Sequence, residues 1–452
     1  AKTLFPYTTL FRSQKVKLPA LKLAFVGMLL SGCASLATAQ SSNPYVDGAA
    51  AAPDSWLLVK KGKPWWYTTK PSPMPVALRQ RTPTAAEQLV IDRARSLVAN
   101  RPAKAFALLD GDAVVYSETK APADSESVFF GYSMGKTVTA MAVGQAICVG
   151  KLKMDTRASD VVPELAGKAL GIATVHDLLR MASGAADPNP DSSVWTPEQF
   201  KEWSRGDLNL VNLVTEDRVA KAQRGVFSDY KPGESFSYKS TDPTVLGVMV
   251  SRATSTVWHQ WIQERVLDPM GVAHPGFYVQ DRQLNGLADS GLRMRLEDWM
   301  RFAIWVKRSS QQPGCFGDFV RKALSTQIRN PGSPATRKFG KAFGGYGYFT
   351  WTENPAAPNT AWANGWGGQR IGWNTDATNN RIVITFSNIQ NWMADVDDVA
   401  RDWNALRSTQ ELSQSALQPN QPALPTRPAV QSDMTHEQRT EEILRELAGS
   451  KQ

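Results

Sequence analysis

Histidine is scarce in this 452-residue chain: His176, His259, His274 and His436 are the whole complement. His274 precedes Pro275 in a stretch that reads as a loop, and His436 lies in a polar tail. His176 is expected in a helix packed on the core, and His259 on a helix surface. Cysteine is scarcer still, with Cys33, Cys148 and Cys315 only. Neither residue type clusters at metal-ligand spacing, so no metal site is expected, and nothing points to a cofactor. Cys148 lies in an apolar stretch and reads as a buried free thiol, with a pairing to Cys315 left open. Internal repeats are absent. So is any stripe of basic and aromatic residues, and no nucleic-acid partner is expected.

Acidic residues are missing before Cys33, and this skews the overall charge. Of the nine excess positive charges, five come from Lys2, Arg12, Lys15, Lys17 and Lys22, which leaves a mildly basic remainder. Residues 1–13 contain TLFPYTTLFRS, which reads as translated sequencing-library adapter. Residues 14–33 read as a signal peptide. Lys15, Lys17 and Lys22 form its basic region, and Leu23–Leu30 an apolar run too short to span a bilayer. Leu30-Ser31-Gly32-Cys33 matches a bacterial lipobox, so lipidation of Cys33 and a membrane tether are expected. Ala37-Thr38-Ala39 offers a competing cleavage site that would release a soluble periplasmic protein. Residues 34–54 are small and polar, as a tether would be.

Against these absences stands Ser133-Met134-Gly135-Lys136. Val128, Phe129 and Phe130 lead in as a short apolar run, and residues 133 to about 149 carry Thr, Val, Ala, Met and Ile without proline, as a mostly buried helix does. Positions i and i+3 share one helix face, so the Lys136 amine can reach the Ser133 hydroxyl. A serine needs an adjacent base to act as a nucleophile, and a lysine kept neutral by burial or a nearby cation can serve. The helix start adds a partial positive charge. Gly131-Tyr132-Ser133-Met134-Gly135 also fits the Gly-x-Ser-x-Gly elbow of α/β-hydrolases. No alternating β-α series follows it, however, and the histidines are poorly placed for a triad.

The surroundings carry a wider resemblance. Residues 127–165, SVFFGYSMGKTVTAMAVGQAICVGKLKMDTRASDVVPEL, resemble the first catalytic block of the serine β-lactamase and penicillin-binding-protein superfamily, for which Ser-x-x-Lys is a known signature. The likeness continues through VHDLLRMASG, ESFSYKSTDPTVLGVMV, ADSGLRMRLEDWMRFA and NGWGGQRIGWNTDATNNRIVITFSN, in the expected order over roughly residues 85–408. It implies that Tyr238 of Tyr238-Lys239-Ser240 places a phenol beside the nucleophile. A tyrosine near two lysines can lose its proton below its usual pKa of about 10 and work as base or proton relay. The resemblance also assigns Trp366-Gly367-Gly368-Gln369 to the strand edge along which substrate lies. The backbone N–H groups of Ser133 and Gln369 would then form an oxyanion hole. Ser240, Trp366, Gly367 and Gly368 become candidate substrate-binding residues. Two departures shape the expectation. Ser240 stands where β-lactamases usually hold asparagine, and Trp366 where penicillin-recognising relatives hold a cation. Both are similar to the branch of 6-aminohexanoate-dimer hydrolases and family VIII carboxylesterases.

The fold expected is α+β, an α/β sandwich: one antiparallel sheet flanked by helices, with a helical lobe inserted between its halves. Ala85–Val98 reads as an amphipathic helix, and Phe106–Tyr116 as a hairpin turning at Asp110-Gly111. Ser235–Tyr238 reads as a short strand before a helix opened by Thr241, Asp242 and Pro243. Strands return over 345–388, and Asp395–Arg407 closes as a helix. The hydrolase domain is expected over 55–408, followed by a disordered linker and short tail helix over 409–452. The reading is a serine hydrolase acting on a small-molecule or oligomeric amide or ester through an acyl-enzyme. The alternatives are a class C-type β-lactamase or D-Ala-D-Ala carboxypeptidase, and a catalytically silent envelope-binding protein. The oligomeric state is not legible.

Overall fold

Strands from the two ends of the described chain meet in one sheet. The computed structural model describes residues 57–409, less 60, 101–102, 186–196, 221–230, 335, 338–339 and 389–392. The chain divides into units 1–42 and 43–452, and the first lies wholly outside the described residues. The adapter-like segment, the signal peptide with Cys33, the tether of 34–54, and the tail beyond Thr409 with His436 are likewise outside them.

In chain order the elements used below are β1 (Leu58–Val59), β2 (Tyr67–Thr68), β3 (Arg79–Gln80), α1 (Ala85–Asn100), β4 (Ala103–Asp110), β5 (Ala113–Thr119), β6 (Val128–Phe130) and α2 (Met134–Cys148). The inserted lobe contributes α3 (Val175–Leu179), α4 (Leu210–Thr215), α5 (Thr241–Thr254), β7 (Phe277–Tyr278), β8 (Leu292–Arg295), α6 (Leu296–Ser310) and α7 (Cys315–Ala323). The chain then returns as β9 (Ile328–Arg329), β10 (Gly345–Tyr346), β11 (Trp351–Thr352), β12 (Thr360–Gly365), β13 (Gln369–Asn374), β14 (Arg381–Ser387) and α8 (Met393–Ala405). The main sheet runs β3-β5-β4-β14-β13-β12-β11-β10-β9. Its seam is β14 against β4, antiparallel, with Val383 opposite Leu108. Every residue of β13 and β14 is buried, so both faces of the sheet are covered there. Helices α1 and α8 pack on each other and against β4 and β14, while α2 and α6 pack against β12, β13 and β14.

Local signals account for much of this. Thr84 and Glu87 form a reciprocal cap that starts α1: the Glu87 N–H donates to Thr84 Oγ1 and the Thr84 N–H to Glu87 Oε2. Val90, Ile91, Ala94 and Val98 then line its buried face at helical spacing. The β4–β5 hairpin closes with Asp110 opposite Ala113, leaving Gly111 and Asp112 as the turn.

Five expectations need correction. A second, five-stranded sheet, β1-β6-β8-β7-β2, takes up the apolar run 128–130; its other strands are too short to show periodicity. Parallel pairing of β3 with β5 breaks the all-antiparallel pattern at one edge. Residues 235–239 are not a strand: the Gly233 and Ser237 N–H groups bond the carbonyls of Ala182 and Met181, too few contacts for a ladder. Cys148 is not a free thiol, because it is disulfide-bonded to Cys315. The bond joins the end of α2 to the start of α7, two helices packed together. His259 also departs from its expected surface position. It is buried, stacked on Tyr67 at 4.2 Å between centroids, with Nδ1 2.6 Å from Gln280 Oε1. Burial pulls its imidazole pKa down to about 4.

Candidate active site

Strand β6 enters the site and α2 leaves it. Between them Tyr132 takes the left-handed backbone region, φ 47°, and Ser133 occupies the N-cap of α2. For a bulky residue that region is strained, and it sets a sharp strand-to-helix corner that leaves Ser133 partly exposed. One turn on, the buried Lys136 Nζ lies 3.1 Å from Ser133 Oγ, the contact expected from i,i+3 geometry. Nζ also donates to the carbonyl of Asp289 at 3.2 Å and stands 3.6 Å from its Oδ2. Gly135 makes this approach sterically feasible. A Cβ at that position would fall 2.8 Å from Ser290 Cα, so a side chain would push the 289–290 turn away from α2.

Tyr238 comes from the irregular segment before α5. Its ring lies beneath Lys136 Nζ, 5.2 Å to the centroid, and stacks on Trp351 at 5.1 Å. Tyr346 meets it edge-on at 6.3 Å. Tyr346 itself is buried, which pushes its phenol pKa well above 10, with Tyr238 and Asp242 adding to the effect. The second expected lysine, Lys239, is buried, 3.5 Å from Asp242 Oδ2 and 3.4 Å from the Met181 carbonyl. Asp242, fully buried, is held by Ser183, whose Oγ donates to Oδ1 at 2.5 Å. Burial raises the Asp242 pKa, opposed by Lys239 and Ser183. Ser240 forms the N-cap of α5 and, with Asp289, Leu210, Leu213, Val214, Thr241 and Thr244, lines a small cavity beside the centre.

The glycine-rich hairpin closes the other side. Gly365, at the end of β12, lies so near the corner that a Cβ there would sit 2.2 Å from the Gly131 carbonyl oxygen. Trp366 is half-buried, its ring edge-on to Tyr132 at 5.5 Å. Gly367 and Gly368 turn at φ 79° and 90°. The Gln369 side chain points away from the corner: its Nε2 bonds the carbonyls of Trp366 and Ser387, and its Oε1 accepts from the Ser387 N–H. Only its backbone can serve an oxyanion.

Two residues of the centre were missed as site residues in the sequence. Trp351 stacks on Tyr238, while Trp362 and Trp373 are fully buried. Asp289 lies in the stretch 288–303, where no periodicity marks it. Among the described residues no group of three or more His, Cys, Asp or Glu is arranged to hold a metal ion.

A sheet built from both chain ends, a helical insertion, and a Ser–Lys pair opening the helix between them define the fold class of the serine β-lactamases and penicillin-binding proteins. The chain belongs to the Beta-lactamase family, whose model matches residues 90–407. Penicillin-binding protein 4 of Amycolatopsis lactamdurans is 29% identical over 178 residues, 38% of this chain and 43% of that protein. A lovastatin esterase of Penicillium rubens is 25% identical over 247 residues, 53% of this chain and 56% of that one. The chain thus spans about half the length of these curated relatives. Among solved structures, a presumed 6-aminohexanoate-dimer hydrolase from Bacillus anthracis superposes with TM-score 0.55 at 14% identity, covering 75% of this chain and 89% of that one. A D-stereospecific amidohydrolase from Streptomyces gives 0.51 at 17% identity, with coverage of 68% and 96%. At these identities the superpositions establish the shared fold.

Proposed function

We propose that this protein is an exported serine hydrolase that cleaves a linear amide or ester through an acyl-enzyme. Ser133 attacks the carbonyl, and Lys136 and Tyr238 serve the transfer of its proton. The N–H groups of Ser133 and Gln369 hold the oxyanion, and water releases the acid. The observation that carries this reading is the 3.1 Å contact between Lys136 Nζ and a partly exposed Ser133 Oγ, with the Tyr238 ring under the same amine. The lovastatin esterase among the relatives agrees with ester chemistry. The half-buried Trp366 offers an apolar wall and no charge for a carboxylate, which favours neutral acyl groups over penicillins. Export to the bacterial envelope, with Cys33 lipidated or the leader cleaved, is supported by the basic and apolar leader pattern and by the Cys148–Cys315 disulfide, a bond of oxidising compartments.

The test is a hydrolysis panel of p-nitrophenyl esters, short 6-aminohexanoate amides and nitrocefin, run beside fluorophosphonate labelling. Label at Ser133, and a higher kcat/KM for esters or amides than for nitrocefin, is expected. Efficient nitrocefin turnover with negligible ester and amide turnover would move the assignment to β-lactamase, and label at another serine would refute the mechanism.

A further inference from the structure

Asp289 is 153 residues from Lys136 in sequence and touches it in space. It sits in the turn before β8, is 2% exposed, and its Oδ1 accepts the Ser290 hydroxyl at 2.9 Å. Around Lys136 Nζ stand Ser133 Oγ at 3.1 Å, the Asp289 carbonyl at 3.2 Å, Asp289 Oδ2 at 3.6 Å, and the face of Tyr238. All four are partners for an ammonium. A carboxylate this deep is costly without a counter-charge, and an amine beside it is favoured in its charged form.

The charged and titratable groups packed around the pair do not cancel this. Lys239 is already matched by Asp242. Tyr278, from β7, faces Asp289 and is kept protonated by burial, with Asp289 adding to the effect. Tyr346, from β10, is kept protonated in the same way by its own burial.

Resting on the hydrolase reading above, we propose that Asp289 is a positioning residue of this active site: its carboxylate fixes Lys136 as an ammonium against Ser133, so that Tyr238 receives the serine proton. The Ser133 Oγ–H bond breaks as Oγ bonds the substrate carbonyl carbon, and the proton passes to Tyr238 Oη while Tyr238 passes its own hydroxyl proton to the leaving nitrogen or oxygen, whose bond to the acyl carbon breaks. Lys136 keeps its own protons throughout, and its charge steadies the negative charge that develops along this relay.

The experiment compares Asp289→Asn and Asp289→Glu with the wild type over roughly pH 5–10, reading kcat/KM on p-nitrophenyl acetate. In Asp289→Asn the alkaline limb should move down by about one pH unit or more, because the ammonium loses its counter-charge. Its kcat should fall roughly tenfold or more, with KM little changed. Asp289→Glu should return the limb to its wild-type position. An unmoved limb would overturn the proposal. So would faster turnover near neutral pH with the acid limb moved down, because Lys136 would then be the neutral base. If Asp289→Asn does not fold, 15N NMR of lysine-labelled wild-type protein decides: an ammonium signal for Lys136 at neutral pH is expected, and an amine signal refutes the assignment. Fluorophosphonate labelling of the wild type separates the two levels. Absence of label at Ser133 removes the hydrolase reading itself, whereas normal label with an unmoved limb removes only the role of Asp289.

Discussion

Lys136 and Tyr238 share one small volume, and each can be removed without emptying it. Lys136→Ala leaves Asp289 buried without its amine, so it should lower kcat by about a hundredfold or more, in the range of general acid–base contributions. Tyr238→Phe keeps the ring that stacks on Trp351 and loses only the hydroxyl. Its thermal midpoint should therefore stay near wild type while the acylation burst slows. Stopped-flow kinetics on a p-nitrophenyl ester, with calorimetry alongside, check both. Near-normal acylation in both variants would place proton transfer elsewhere. At this scale the sequence was most informative where a contact is local. Ser133 and Lys136 meet because one helical turn separates them. Trp351 reaches Tyr238 only through a long-range fold, and Lys239 turns to Asp242 because burial demands a counter-charge.

Helix α2 is the element on which the site is mounted. Its first residue follows the nucleophile, and its last, Cys148, is tied to Cys315, the first residue of α7. At about 1.5 Å rise per residue the disulfide sits roughly 20 Å from Ser133. A double Cys148→Ser, Cys315→Ser variant should therefore lose stability, by roughly 2–4 kcal/mol, while its kcat stays near wild type. Urea denaturation and steady-state kinetics check this, and an equal loss of both would show that the bond shapes the corner at Ser133 as well. The apolar composition of 133–149 indicated this helix and its burial. It did not reveal the disulfide, because the partner lies 167 residues away, on an element whose packing is decided elsewhere.

Across the whole molecule, the two ends of the described chain are joined by buried charge. Arg81 reaches both Glu87 and Asp110, at 2.5 and 2.7 Å, and Arg381 of β14 bonds Glu87 at 2.5 Å. Arg381 also donates to the Arg407 carbonyl at 2.8 Å, and the Thr409 hydroxyl to Asp110 at 2.9 Å. Burial alone would raise the Glu87 pKa, but Arg81, the Thr84 N–H and Arg381 outweigh it and hold the carboxyl at about 2. The unfolded value is about 4.3. The folded state therefore binds fewer protons in this window. Glu87 contributes its full stability above the unfolded value and loses it as pH falls toward 2. Glu87→Gln should flatten the dependence of the thermal midpoint on pH between about 4.3 and 2. At neutral pH it should cost roughly 3–5 kcal/mol, because the buried Arg381 guanidinium and the partly buried Arg81 guanidinium lose their shared carboxylate. Calorimetry across that range checks both, and an unchanged slope would assign the acid sensitivity to other carboxylates.

What the sequence by itself determined is what near neighbours impose: the Ser133–Lys136 spacing on a helix, the β4–β5 hairpin, whose turn falls one residue later than the expected Asp110-Gly111, the apolar strands β12, β13 and β14, and the order of elements that brings both chain ends into one sheet. These follow from backbone periodicity and turn chemistry, which act over a few residues. The tertiary structure alone decided that Asp289 faces Lys136, that Trp351 backs Tyr238, that Cys148 is bonded to Cys315, and that the 128–130 run joins a second sheet. Each of these pairs groups far apart in sequence. Such pairings are selected by how helices and sheets fill a close-packed interior and by the need of buried charges for partners, and neither is written in local pattern.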